Sequence, residues 1–137
     1  MKIKVAATQM SCSWEIEENI SKAINLIEQA AIEGANIILL QELFQTPYFC
    51  IQYDEEIFKL AHSFDNNKTL EKFSELAKKL QVVLPISFFE KENNAYFNSI
   101  AVINSDGEIL GKYRKSHIPD GPGYLEKYYF NPGNTGF

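Results

Sequence analysis

A strand, an amphipathic helix and a second strand follow one another within the first 42 residues, and that order restricts the chain more than any other feature. Ile3 to Thr8 alternates polar and apolar residues before turning apolar, the pattern of a strand. Ile20, Ala23, Ile24, Ile27, Ala30 and Ala31 then recur at helical spacing. Ser13 or Trp14, followed by acidic Glu15, Glu17 and Glu18, suits the start of this helix, and Gly34 supplies its stop. After a very short turn the apolar run Ile37 to Leu40 forms the second strand. Two strands joined by a helix in so short a compass must lie parallel, with a right-handed crossover.

The second strand ends at Gln41-Glu42. Ligands of open α/β sheets bind in the crevice outside the carboxyl ends of the strands. An acid delivered there by a buried strand is therefore a candidate general base, since burial raises a carboxyl group toward neutral pH. A first loop residue that simply faces water is the alternative.

Further along, Phe44 to Tyr53 reads as loop and Glu55 to His62 as a short helix. Thr69 is placed to cap another helix, with Leu70, Phe73, Leu76, Ala77 and Leu80 on its apolar face. Val82 to Phe89 returns as a buried strand. Ala95 to Asn104 and Glu108 to Arg114 flank Ser105-Asp106-Gly107, a hairpin signal. The expected fold is thus α/β with a mixed sheet, a βαβ start followed by an antiparallel hairpin. Repeats, linkers and low-complexity tracts are lacking, and the 137 residues fit one domain. From Ser116 onward, Pro and Gly give an ordered-loop composition. A domain that stops in such a stretch straight after a hairpin is expected to be incomplete.

Apolar residues at 45% and charged residues at 23% fit a globular chain. A net charge of -5 argues against a nucleic-acid partner. No apolar run approaches a membrane span or a signal peptide. Two cysteines, Cys12 and Cys50, form no disulfide framework, so a reduced, cytoplasmic setting is expected.

Two further segments carry candidate chemistry. Gly111 to Pro119 includes Lys112, Arg114, Lys115 and His117. Two cations at a strand end commonly mark a solvated edge. A lysine beside a carboxylate can instead hold that carboxylate and stabilise the oxyanion of acyl transfer. Gly121-Pro122-Gly123-Tyr124-Leu125-Glu126 places Glu126 in a stiff, aromatic-rich loop. His62 falls in the short helix without a metal-ligand partner at suitable spacing, and no Gly-rich phosphate motif is present.

Val5-Ala6-Ala7-Thr8-Gln9-Met10, Leu39-Leu40-Gln41-Glu42-Leu43-Phe44 and Asp106 to His117, in this order and at these separations, resemble the N-terminal half of a carbon-nitrogen hydrolase of the nitrilase superfamily. The resemblance covers essentially the whole chain. It implies the first part of an αββα sandwich and a Glu-Lys-Cys triad without metal or cofactor. By position, Glu42 resembles the general base, Lys115 the oxyanion-stabilising lysine, and Glu126 an auxiliary glutamate. Thr46 to Cys50, Ile118 to Tyr124 and Phe130 to Gly133 are similar to members acting on a small cationic amide or carbamoyl substrate. Asp120, Tyr124 and Glu126 are then candidates for binding it, and the complete enzyme would be a homo-oligomer. The family's nucleophilic cysteine lies on a strand beyond Phe137, so the chain alone is expected to be inactive. Cys12 and Cys50 are expected to pack as small hydrophobes, with Cys50 as a substitute nucleophile the lesser alternative. A remnant or split half acting only by association is the competing expectation.

Overall fold

The order of elements in the computed structural model, which describes residues 2–136, is β1 (Val5–Ala7), α1 (Ile16–Ile32), β2 (Ile37–Leu39), a 3-10 helix (Glu55–Leu60), α2 (Lys68–Leu80), β3 (Leu84–Glu92), β4 (Ala95–Ile103), β5 (Ile109–Arg114) and α3 (Glu126–Tyr129). β1 and β2 pair in parallel, as the crossover requires. β3, β4 and β5 form an antiparallel meander. The two parts join where Ile38 N donates to Val83 O and Val83 N to Asn36 O, a parallel bridge between β2 and the residues leading into β3. The sheet is therefore mixed, as expected.

Local chemistry explains the element ends. Ser13 Oγ accepts from Glu15 N, and Asn19 reaches back to accept from Ser13 N, which closes the α1 N-terminus. Gly34, at φ +88°, ends that helix in the left-handed conformation that glycine adopts without a Cβ clash. α2 starts earlier than expected. Its cap is Asn67, whose Oδ1 accepts from Thr69 N and Leu70 N, so Thr69 lies inside the first turn. β3 also runs past Phe89 to Glu92, because Asn93-Asn94 forms a two-residue hairpin turn with Asn93 at φ +54°. The helix expected up to His62 is a 3-10 turn ending at Leu60. His62 instead bridges alongside Glu90.

α1 and α2 cover one face of the sheet. Between them lie Ile20, Ala23, Ile27, Ile38, Phe44, Leu70, Phe73, Leu84, Ile86, Phe88, Ala101 and Ile103, the larger core. Phe44 and Phe73 meet edge to face at 5.6 Å. A second, aromatic core gathers Phe49, Cys50, Phe89, Ile118, Tyr129 and Phe130 under the loops at the far end of β3 and β4. The opposite sheet face is open and apolar, with Val5 69% and Leu39 44% exposed. This corrects the expectation of a fully buried second strand. A continuous apolar run suits burial on both faces, but the described residues cover only one, so burial along β2 alternates. No helix among the described residues is long and apolar enough to cross a membrane.

Candidate active site

Glu42 leaves the end of β2 and is exposed, not buried as its strand suggested. The turn after it is sharp: Leu43 adopts φ +53°, unusual for a branched side chain, and its N–H donates to Ser87 Oγ on β3 at 2.9 Å. Ser87 thus fixes the backbone that brings Glu42 against Asn98 of β4. Lys115 follows β5 directly. Its N–H donates to Asn98 O on β4 and its carbonyl accepts from Gly133 N, so both sides of its peptide are held.

The Lys115 ammonium lies between two carboxylates. It donates to Glu42 Oε1 at 3.2 Å and to Glu126 Oε2 at 2.8 Å. Burial works against its charge, but the hydrogen bonds and charges of Glu126 and Glu42 outweigh this and hold Lys115 above the ordinary lysine range. Glu126 is not in a loop, as expected, but is the first residue of α3 and is buried. Leu125 N donates to Cys50 O at 2.6 Å and ties the start of that helix to the segment following Glu42.

The two carboxylates differ in what remains open. Glu126 Oε1 accepts from Tyr48 OH at 2.9 Å, so both of its oxygens are engaged. Burial first, then the Glu126 charge, push the Tyr48 hydroxyl up, which keeps it a donor. Glu42 receives Lys115 and the Asn98 side-chain amide on the same oxygen, Oε1. Its Oε2 accepts no hydrogen bond among the described residues. An exposed carboxylate with one open oxygen can take a proton, whereas a buried one with both oxygens engaged is suited to holding a lysine in place.

Glu42, Ser87, Asn98, Ser99 and Lys115 line a cavity of about 270 Å³ together with the apolar Leu39, Leu40 and Ile100 and with Tyr113. Leu39 and Tyr113 are exposed there, so the cavity opens onto the uncovered apolar face of the sheet. Asp120 and Tyr124 do not line it. Both are exposed on the turn before α3, where the Tyr124 ring packs over Gly121. The structure therefore brings Glu42, Lys115 and Glu126 together, and Asp120 and Tyr124 make no contact within that group. Sequence reasoning missed Asn98, Ser87 and the role of Tyr48. The available signal for Asn98 was an amide inside an otherwise largely apolar strand, since buried amides are there to be bonded.

Neither thiol is poised for attack. Cys50 is buried in the aromatic core, and burial, reinforced by the Glu126 charge, pushes its thiol to about 12. Cys12 is partly buried, with Sγ donating to Phe44 O and accepting from the Gln41 amide. His62 sits at the sheet edge and His117 is exposed beside Phe130 and Pro132. No group of three or more metal-ligating side chains gathers among the described residues.

A lysine held between two carboxylates thus stands just past the C-terminal ends of β2 and β5 in a mixed sheet. The carbon-nitrogen hydrolase family model matches residues 4–137, and the chain belongs to that family. It is 54% identical over 136 residues to an N-carbamoylputrescine amidase from Oryza sativa, covering 99% of this chain and 45% of the relative. It is 50% identical over 135 residues to a citrullinase from Francisella tularensis, covering 98% of this chain and 47% of that one. Among solved structures, a carbon-nitrogen hydrolase from Helicobacter pylori superposes with a TM-score of 0.91 at 41% identity, covering 98% of this chain and 46% of the other. The chain thus spans about half the length of the relatives it matches.

Proposed function

We propose that this chain forms the base-and-lysine half of an amidase that hydrolyses N-carbamoylputrescine to putrescine, CO2 and ammonia, a step of polyamine synthesis in the cytoplasm. The observation that carries the reading is the Glu42–Lys115–Glu126 arrangement beside the cavity, in a chain 54% identical to a relative of that name. Glu42 is the general base through its open Oε2, Lys115 stabilises the oxyanion, and Glu126 holds Lys115 in place. With both Glu126 oxygens engaged, the distal ammonium of the substrate falls to exposed Asp120, with Tyr124 beside it.

In this reading a cysteine attacks the carbamoyl carbon and gives its proton to Glu42. Lys115 and a backbone N–H hold the oxyanion, and ammonia leaves with the proton from Glu42. Water, deprotonated by Glu42, then attacks the S-carbamoyl cysteine, the thiolate leaves and takes its proton back from Glu42, and the released carbamic acid loses CO2 to leave the amine. The cysteine is neither Cys12 nor Cys50, because one is partly buried and hydrogen-bonded and the other is fully buried and protonated. It comes from a second half that also covers the open apolar sheet face, and the complete enzyme is a homo-oligomer.

The similarity to a citrullinase favours one second reading, since citrulline and N-carbamoylputrescine share a terminal ureido group and differ in the charge at the far end. The test joins this chain to the C-terminal half of the Oryza sativa relative and measures ammonia from each compound. Release from N-carbamoylputrescine in preference is the expected result, with no release by this chain alone. Preference for citrulline would select the second reading, and ammonia from neither would overturn both.

A further inference from the structure

We infer that Asn98 is a positioning residue that decides which oxygen of Glu42 is free to take a proton. The inference rests on the proposed role of Glu42 as base. Two bonds to one residue of β4 organise both halves of the pair. The Asn98 side-chain amide donates to Glu42 Oε1, and the Asn98 backbone carbonyl accepts from Lys115 N at 2.9 Å.

A carboxylate on an exposed stem rotates freely and presents either oxygen. Lys115 alone does not prevent this, because an ammonium is a compact charge with three rotatable donors and follows whichever oxygen turns toward it. A planar amide on a strand is different. Asn98 is 5% exposed and sits between paired neighbours, opposite Phe89 in the β3–β4 register. Its Nδ2 is aimed by the strand, so Oε1 is the oxygen it takes. Oε2 is left as the open acceptor over the cavity that Asn98 itself lines.

The backbone of Glu42 is fixed from the other side by the bond from Leu43 N to Ser87 Oγ. Ser87 and Asn98 lie on adjacent strands and together set the base in position and in rotation. Neither contacts the reacting atoms in the proposed chemistry, so each acts through Glu42. Holding a catalytic group in one orientation is where small misplacements are felt most, on the order of 100-fold in rate.

The test has two arms. The first uses the chain as it stands and needs no turnover. In the amide region of a 1H–15N spectrum, the Asn98 side-chain proton that donates to Glu42 is expected downfield, and Glu42→Ala is expected to abolish that shift. Glu42 is 54% exposed, so this substitution leaves the fold in place. An Asn98 amide signal indifferent to Glu42→Ala overturns the assignment.

The second arm uses the chain joined to a nucleophile-bearing half. Asn98→Leu, which keeps roughly the side-chain volume and the bond from Lys115 N but removes the donor without adding a charge, is expected to lower kcat about 100-fold while KM stays within about twofold. An unchanged kcat, or a loss carried by KM, overturns it. Should the unsubstituted joined chain release no ammonia, the amidase reading fails, and the first arm still decides Asn98.

Discussion

Lys115 Nζ donates to Glu126 Oε2 at 2.8 Å, a cation at the end of β5 held by a buried carboxylate at the start of α3. The contact is shorter than the one from the same ammonium to Glu42, so Glu126 anchors the lysine and Glu42 borrows it. Glu126 is buried, and its two oxygens are engaged by Lys115 and Tyr48.

Lys115→Met is therefore expected to destabilise the fold. A buried acceptor deprived of one partner costs about 1–3 kcal/mol, and the effect should fall toward the lower end because the lysine is 32% exposed. The sign with pH follows from the upward shift of Lys115. Its contribution is fully present below the ordinary lysine value, about 10.4, and is lost as pH rises through the higher folded value. Urea midpoints of the two proteins should differ at neutral pH and converge in alkaline solution. A difference constant with pH would contradict the assignment.

Glu90 should dominate acid unfolding. It is fully buried, and burial opposes its charge, but hydrogen bonds from Arg114, Lys112 and Ser99 outweigh this and hold it at about 2, against an ordinary value of 4.5. A depressed carboxyl group contributes stability above the ordinary value, and that contribution is lost as pH falls from about 4.5 toward about 2. Glu90→Gln should flatten this part of the stability curve. At neutral pH it should cost roughly 3 kcal/mol, the low end for a broken buried pair, because Arg114 loses its buried counter-charge and keeps only the half-exposed Glu92. An acid limb unchanged in Glu90→Gln would show that other carboxylates control it.

Cys50 should be silent to thiol reagents in the folded chain. A thiol held at about 12 in an aromatic core offers almost no thiolate at pH 8. Titration with a chromogenic disulfide should report Cys12 alone, with Cys50 appearing only in denaturant. Labelling of both thiols at one rate would contradict the packing.

Gly133→Ala tests how the loop after α3 reaches the site. A Cβ at this position would stand 2.1 Å from the Arg114 carbonyl, a backbone atom that cannot step aside. The loop must then lift and the bond from Gly133 N to Lys115 O should break. The expected loss is about 1–3 kcal/mol in urea unfolding, with altered amide signals at Lys115. An alanine variant as stable as the parent would mean that the loop is not seated as described.

Much of the architecture was legible in the residues themselves. The βαβ opening and the Ser105-Asp106-Gly107 hairpin follow from short-range periodicity and turn chemistry, and both stand in the structure. The Asn93-Asn94 turn was missed because asparagine in the left-handed conformation carries a weaker signal than an Asp-Gly pair. The extent of burial at β2 was overestimated because an apolar run states what a strand tolerates on each face and not what covers it.

The sequence by itself determined the order of the elements and which residue types stand at the strand ends. Glu42 and Lys115 are visible there as candidates because charge at the end of a strand segment is a local property, and Glu126 because it follows a Pro- and Gly-rich stretch of the family's pattern. Only the tertiary structure decided their division of labour. Glu42 and Asn98 are 56 residues apart, and Tyr48 and Glu126 are 78 apart. Which oxygen each donor engages is set by strand register and by the anchoring of α3 on Cys50 O, long-range geometry that no local pattern records. That geometry leaves one oxygen of Glu42 open and none of Glu126.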